Sequence, residues 1–506
     1  MIGPYVVLVL VFLTLAAVFG QSLRLGLDEG IFLVGAEHVA RGSVPYLDFF
    51  SLTGPWTSWL YGLMFSLFGT SVKTAHVFLS MILACAALAS VTLLDRLIPT
   101  WLAMGCGLFF LGFVFHSPYH LYVTHRWDSN SLAVMSIAVV CAGLSSTSWK
   151  YTFSAGILIG AATLATPSFI VVFVAIAIWL VVTTGANRFN QPLLLFAGAA
   201  LPIAAAVAYL SYKNALAPMI QQLYWTSKNY GTANHVAFGQ LLGDPNVFFA
   251  DHLKSSKLIL AIRFAESLVP ALLPICAYTA WAILFWRKPK EIASIKQPIS
   301  FLLCMSFAIL LTCYPRWGGA QLVFVSAIFW VLGGAALYYA FPQRNRTRNS
   351  AIVLASAILL IAAAAPSQSK QLIKTRVGDV RCSRSDCAVI TALHQRITPG
   401  QSLFVFPYMP IIYFVTGGVN PTRYSYLQPG MMTSEDEANV LSDLLKKPPR
   451  WTFWQEFNKE MILKSWPDSN PSRLTFPDIE GFIETNYHAV FPTSGKNIGF
   501  RLMEHN

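Results

Sequence analysis

The chain has 506 residues, of which 55% are hydrophobic and only 11% charged, and its mean hydropathy is +0.55. That composition excludes an ordinary soluble globule and reads as an integral membrane protein. The formal charge of +12, from 35 basic and 23 acidic residues, does not argue for nucleic-acid binding, because no basic helix or aromatic-basic module accompanies it. Lys and Arg on cytoplasmic loops, where they can also hold anionic membrane lipid, account for the excess.

In chain order, apolar runs of spanning length predict helices at about 4–20, 74–94, 100–117, 131–147, 152–167, 169–184, 193–212, 262–286, 299–314, 320–341 and 350–366, eleven in all. The first could instead be a cleaved signal peptide ending at "AVFGQS", but it lacks a basic n-region and is read as a span. The segment "GPWTSWLYGLMFSLFGTS" (54–71) is also apolar. Counting it as a span would turn "WRKPKEIASIK" and "PQRNRTRN" outward, against the positive-inside tendency, so it is read as a short amphipathic helix in the interface. Arg96, Lys150, Arg188, the Arg287–Lys296 cluster, Arg344, Arg346 and Arg348 then share the cytoplasmic side. The opposite side receives the acidic stretch 21–73, "HSPYHLYVTHRWDSN" (116–130), a loop at about 213–260, "YPRWGG" (314–319) and the tail.

The tail, from about residue 367, is less hydrophobic and reads as a small extracytoplasmic α/β domain large enough for its own core. "QSLFVFP" and "RWTFWQ" look like strands, and "PIIYFVTGG", "EDEANVLSDLLKK" and "DIEGFIETNY" like helices, before a terminal pair of strands around "SGKN". No nucleophile elbow, phosphate loop or metal-ligand spacing occurs in it, so its expected role is to cover the membrane site or hold an acceptor. Cys382 and Cys387, spaced C-x4-C in a polar context, are expected to form a disulfide if this region is extracytoplasmic. The other six cysteines lie in apolar runs and behave as small hydrophobes.

The ionisable residues concentrate on the outer side. Asp28 and Glu29 follow the first span, with Glu37, Arg41 and Asp48 beyond them. Neighbours on a helix point about 100° apart, so the two adjacent carboxylates cannot face one atom: one acts and the other orients, or both simply cap the next helix. Arg126, Trp127 and Asp128 precede a predicted span, as either an interfacial belt or site residues. Arg316 and Lys228 are cations at the outer surface, suited to a phosphate or serving as ordinary interfacial charges. His116, His120 and His125 share no helical periodicity, which argues against a metal site.

The pattern "DEG…A…ARGSVPYLDFFSLTGP…LFSLFG" across 28–69, carried by Asp28, Glu29, Ala36, Gly42, Pro45, Tyr46, Asp48, Phe49, Gly54, Pro55, Phe68 and Gly69, resembles the first extracytoplasmic loop of GT-C type membrane glycosyltransferases. These include the dolichyl-phosphate-mannose protein mannosyltransferases and the lipid A aminoarabinose transferase. The resemblance extends weakly to about residue 366; the tail matches only in its position and sidedness. It implies a GT-C fold, with interfacial helices in the loop at 21–73, a transmembrane glycosyltransferase domain over 1–366 and a C-terminal domain over 367–506.

It also implies transfer of a sugar from a polyprenyl-phosphate donor to a glycan, lipid or protein acceptor, at the outer face of a bacterial inner membrane. Asp28 maps onto the family's catalytic base, with Glu29 second; Asp128 maps onto a second acidic position; Arg316, Arg126, Lys228 and Asp48 would contact phosphate or substrate. After Arg316 the family usually continues with Tyr and a Pro-containing helix, whereas this chain has "GGAQLVFVSAIFW". No cofactor is indicated; some relatives use a divalent ion, Mg or Mn, and others do not. Because a phosphate leaves readily, one carboxylate suffices to take the acceptor's proton, and a single displacement would invert the anomeric centre. The rival class is a lipid or sugar transporter, which would place ionisable groups inside its spans. The predicted spans here are nearly devoid of them. A scaffold of the same fold without chemistry is the third reading.

Overall fold

A computed structural model describes residues 9, 12, 13, 16, 20–25, 28–116, 121–143, 148–183, 189–239, 257–363, 371–456, 459–465, 469–494 and 499–506. Most of the first predicted span, His120, Arg188 and most of "SGKN" lie outside these residues, as does the His116 side chain.

Two short helices come first: α1 (Glu29–Ala40) and α2 (Trp56–Phe68). α2 stands where the interfacial helix is expected; it buries Thr57, Ser58, Tyr61 and Phe65 and exposes Leu63, Leu67 and Phe68. An apolar outer face of this kind suits a helix lying against lipid. The long helices follow: α3 (Val72–Leu94), α4 (Thr100–His116), α5 (His125–Gly143), α6 (Trp149–Ala165), α7 (Ile170–Thr183), α8 (Asn190–Tyr212), α9 (Leu216–Ala233), α10 (Lys257–Arg287), α11 (Lys296–Leu311), α12 (Gly319–Phe324), α13 (Ser326–Ala340) and α14 (Arg346–Ala363).

Four helical stretches among the described residues are long and apolar enough to cross a membrane: Val72–Leu94, Asn190–Tyr212, Leu268–Arg287 and Ala293–Leu311. Three shorter apolar ones are Thr100–Val114, Pro167–Thr183 and Ser326–Ala340. Helices therefore occupy the expected positions from residue 72 onward, but length and hydropathy single out four candidate spans among the described residues, and do not by themselves establish the expected eleven. Two expectations change. The run at 320–341 breaks at Val325, whose φ of −89° and ψ of 1° leave the helical region and separate α12 from α13. The segment expected to be a loop at 213–260 contains α9, whose polar and aromatic composition is too mixed to signal a span.

The bundle has two distinct ends. At one, Arg96 donates to the Cys141 carbonyl at 2.6 Å and Tyr339 to the Leu97 carbonyl at 3.0 Å. There too Lys288 caps the C-terminus of α13 through the Tyr339 and Ala340 carbonyls, and Arg346 pairs with Glu291. A cation at a helix C-terminus satisfies orphan carbonyls and opposes the helix dipole. At the other end Arg126 and Ser168 both reach the Thr312 carbonyl, and His125 meets Thr166 at 2.6 Å. Arg96, Lys288 and Arg346 thus share the first end, and Arg126, His125 and Ser168 the second.

The tail forms a hairpin, β1 (Gln371–Thr375) and β2 (Gly378–Cys382), then α15 (Arg384–His394), β3 (Leu403–Phe406), α16 (Ile411–Thr416), α17 (Ser434–Lys446), β4 (Trp451–Gln455), α18 (Lys459–Ser465), α19 (Pro477–Asn486), β5 (Tyr487–Ser494) and β6 (Gly499–His505). The second sheet has the order β3-β4-β6-β5, with β3 parallel to β4 and the other pairs antiparallel. Each strand and helix anticipated in the tail is present; β1, β2, α15 and α18 are additional. Gly417, at φ 73°, ends α16 in the left-handed region that glycine adopts at no steric cost. Cys382 and Cys387 are disulfide-bonded, bridging β2 to α15.

The tail builds a second core, including Phe404, Phe406, Leu427, Val440, Ile479 and Met503, which Phe50 from the first loop also enters. A second face continues the bundle's core through Val377, Val380, Ile390, Ile411 and Phe414. Backbone bonds fasten the two together: Leu23 to Arg381 at 2.9 Å, Phe50 to Arg423 at 2.9 Å and Val72 to Val377 at 3.2 Å. At Gly30 an added Cβ would lie 2.2 Å from the Ile411 nitrogen, so only glycine fits between α1 and α16.

Candidate active site

Asp28 stands at the start of α1, but its side chain does not cap that helix; its carbonyl accepts the Ile31 amide. The carboxylate turns to the tail, where the Tyr408 hydroxyl donates to its Oδ1 at 2.7 Å. It thus sits at the N-terminal, positive end of the α1 dipole. Tyr408 packs edge-to-face on Tyr426, with ring centroids 5.6 Å apart. Burial first, and the Asp28 charge second, push the phenols of Tyr122, Tyr408 and Tyr426 well above their usual range. These rings are therefore neutral donors or walls, never bases.

Arg316 joins the same cluster. Burial alone would disfavour its charge, yet the facing Tyr230 and Asp28 outweigh that and hold the guanidinium above its ordinary value. Its loop is pinned on both sides: the Arg316 amide donates to Cys313 at 2.8 Å, Val236 donates to Pro315 at 3.1 Å and Trp317 donates back to Val236 at 3.0 Å. The chain following α9 thus holds the 314–317 turn, and α9 supplies Tyr230. A carboxylate and a guanidinium are brought into electrostatic range where bundle and tail meet.

Glu29 points elsewhere, as its place one residue on along a helix requires. It is 1% exposed, and its Oε1 meets His76 Nε2 at 2.6 Å and the Val123 amide at 2.8 Å. It ties α1 to α3 and to the segment bearing Tyr122. Asp128, also 1% exposed, accepts the Thr57 hydroxyl at 2.6 Å and joins α5 to α2. Arg126 clips the end of α11 through the Thr312 carbonyl at 2.8 Å.

Asp48 is exposed and closes its own loop, accepting the Val44 amide at 2.6 Å beside Tyr46 at φ 71°. Lys228 is exposed on α9. Two residues on a helix turn the chain about 200°, so it is Tyr230 that reaches Arg316. Of the residues singled out from sequence, the structure brings together Asp28 and Arg316 and gives Glu29, Asp128, Arg126 and Asp48 structural bonds. Sequence reasoning passed over Tyr122, Tyr230, Tyr408, Tyr426 and His76. Tyr122 lies within a quoted motif; nothing local marks Tyr408.

Among the described residues no group of three or more His, Cys, Asp or Glu side chains gathers as a metal site. His125 instead bonds Thr166 and lies 5.4 Å from the Phe32 ring.

No family model and no curated protein sequence matches the chain. Solved structures do. ArnT from Cupriavidus metallidurans bound to undecaprenyl phosphate aligns with a TM-score of 0.59 at 13% identity, covering 99% of this chain and 98% of that one. The oligosaccharyltransferase of Archaeoglobus fulgidus, in a complex with zinc and sulfate, aligns with a TM-score of 0.55 at 13% identity, covering 98% of this chain and 72% of that one. The same archaeal enzyme, AglB, with an inhibitory peptide and a dolichol-phosphate, aligns at 0.51 and 11% identity, covering 98% and 74%. The chain has the GT-C fold. At these identities the likeness concerns the path of the backbone, and which residues act has to be argued from this chain's own side chains.

Proposed function

We propose that the protein transfers a sugar from a polyprenyl-phosphate-linked donor to an acceptor hydroxyl. The acceptor O–H gives its proton to Asp28 as its oxygen bonds to the anomeric carbon. The carbon–oxygen bond to phosphate breaks in the same step, inverting that centre, and the released lipid phosphate is neutralised by Arg316. Glu29 fixes the helix that carries the base. Asp128, Arg126, Asp48 and Lys228 remain outside the reacting set. The observation that carries this reading is that Asp28, bonded to Tyr408, lies within electrostatic range of Arg316, which faces Tyr230, on a fold whose solved examples hold undecaprenyl phosphate and dolichol-phosphate.

The test uses membranes incubated with a panel of radiolabelled polyprenyl-phosphate sugars. Label should pass from at least one donor to product with the parent protein and not with Asp28→Asn. Transfer retained by the variant would remove Asp28 as base, and no transfer from any donor would leave a scaffold.

The active face is extracytoplasmic, in a bacterial inner membrane, with residues 1–366 in and on the bilayer and 367–506 outside. Support comes from the cationic loops collected at the far end of the bundle. Asn345→Cys and Lys446→Cys, each alone in a background lacking the six free cysteines, should be labelled by an impermeant thiol reagent from opposite sides. Labelling from one side would overturn the orientation.

A further inference from the structure

A general base must lie within about 2.6–3.2 Å of the hydroxyl it deprotonates. In this structure a hydroxyl already occupies that place. The Tyr408 oxygen is 2.7 Å from Asp28 Oδ1, with its O–H directed at the carboxylate as an acceptor's would be. Tyr408 arrives from a residue 380 positions away, on a segment whose placement is firmly set. The Leu427 amide donates to the Pro407 carbonyl at 2.7 Å, which keeps Tyr426 beside Tyr408, and α16 rests directly on Gly30, two residues from Asp28. The contact therefore results from how the tail docks.

Resting on the reading of Asp28 as the base, we propose that Tyr408 stands in the place of the acceptor hydroxyl, so that the tail segment 407–427 forms the acceptor side of the site. Transfer then requires Tyr408 to leave Asp28 as the acceptor enters. While Tyr408 stays, Oδ1 of the half-buried base is occupied, water is kept from that oxygen, and a donor bound beside Arg316 is protected from hydrolysis through it. Tyr408 thus selects for acceptors able to displace a phenol, and water, which binds weakly and singly, is excluded.

Two measurements test this. In the first, purified protein in detergent is given an undecaprenyl-phosphate-linked hexose without acceptor. Tyr408→Ala and Tyr408→Phe should each raise donor hydrolysis by about fivefold or more with the donor KM unchanged, because both free the carboxylate for water. In the second, Asp28→Cys, in a background lacking the six free cysteines, is reacted with a small methanethiosulfonate. Adding Tyr408→Ala should speed labelling about tenfold, as expected when a covering group is removed.

Labelling that does not change would overturn the placement. Faster labelling with hydrolysis measurable in the parent protein but unchanged or reduced in the variants would also overturn it, making Tyr408 a group that merely orients the base. Faster labelling with no hexose donor turned over by any variant would leave Tyr408 where we place it and sink the proposed transfer instead.

Discussion

The two ends of α1 hold carboxylates in contrasting circumstances. At its C-terminal end Glu37 is saturated: Arg376 grips it through two bonds of 2.8 and 2.7 Å, and Arg41 adds a third at 2.6 Å. That arrangement neutralises the charge and binds the helix to the tail, leaving little capacity for substrate. At the N-terminal end Asp28 receives the Tyr408 hydroxyl and lies within electrostatic range of Arg316. Glu29, beside it, is spent on His76 and the Val123 amide. Acidic residues crowded into one stretch thus divide into the carboxylate proposed as the base and two fasteners, according to how many donors each has met among the described contacts.

Substitutions can break that division. The largest effect is expected at Asp28: Asn should lower kcat by about 10²–10⁴, the span of general-base contributions, with an unchanged melting temperature in detergent. Next is Glu29→Ala, which strands a buried His and an amide and should cost about 3 kcal/mol of stability, read as a lower melting temperature. If it instead abolished transfer in a protein of full stability, the base would move to Glu29. Arg316→Ala should raise the donor KM about tenfold, or roughly 1.4 kcal/mol, with acceptor KM unaffected. Smallest is Glu37→Gln, which keeps the shape but weakens the Arg376 fork: about 1 kcal/mol of stability and no change in kcat. A fall in kcat there would erase the contrast between the two ends of the helix.

Much of the architecture was legible residue by residue. Apolar runs located the long helices because hydropathy is a local property, and period-2 and period-3.6 patterns located β3, β4, α17 and α19. The same patterns were silent on the break at Val325, which lies within an apolar run, and on α9, which is neither apolar enough for a span nor bounded by clear caps. Asp28 and Arg316 stood out because charge is rare in this chain. Tyr408 could not, since tyrosine is common here and its importance arises from a contact across the whole molecule.

The sequence by itself determined that this chain has a membrane protein's composition, where its helices begin, and that a DEG motif opens the stretch between the first two apolar runs, because composition and spacing act over a few turns. Only the tertiary structure decided which of two neighbouring carboxylates is left available, which tyrosine of α9 meets Arg316, and that the tail rather than the bundle closes over Asp28. Those outcomes depend on docking α16 against Gly30, and a contact between residues hundreds of positions apart leaves no periodicity to read.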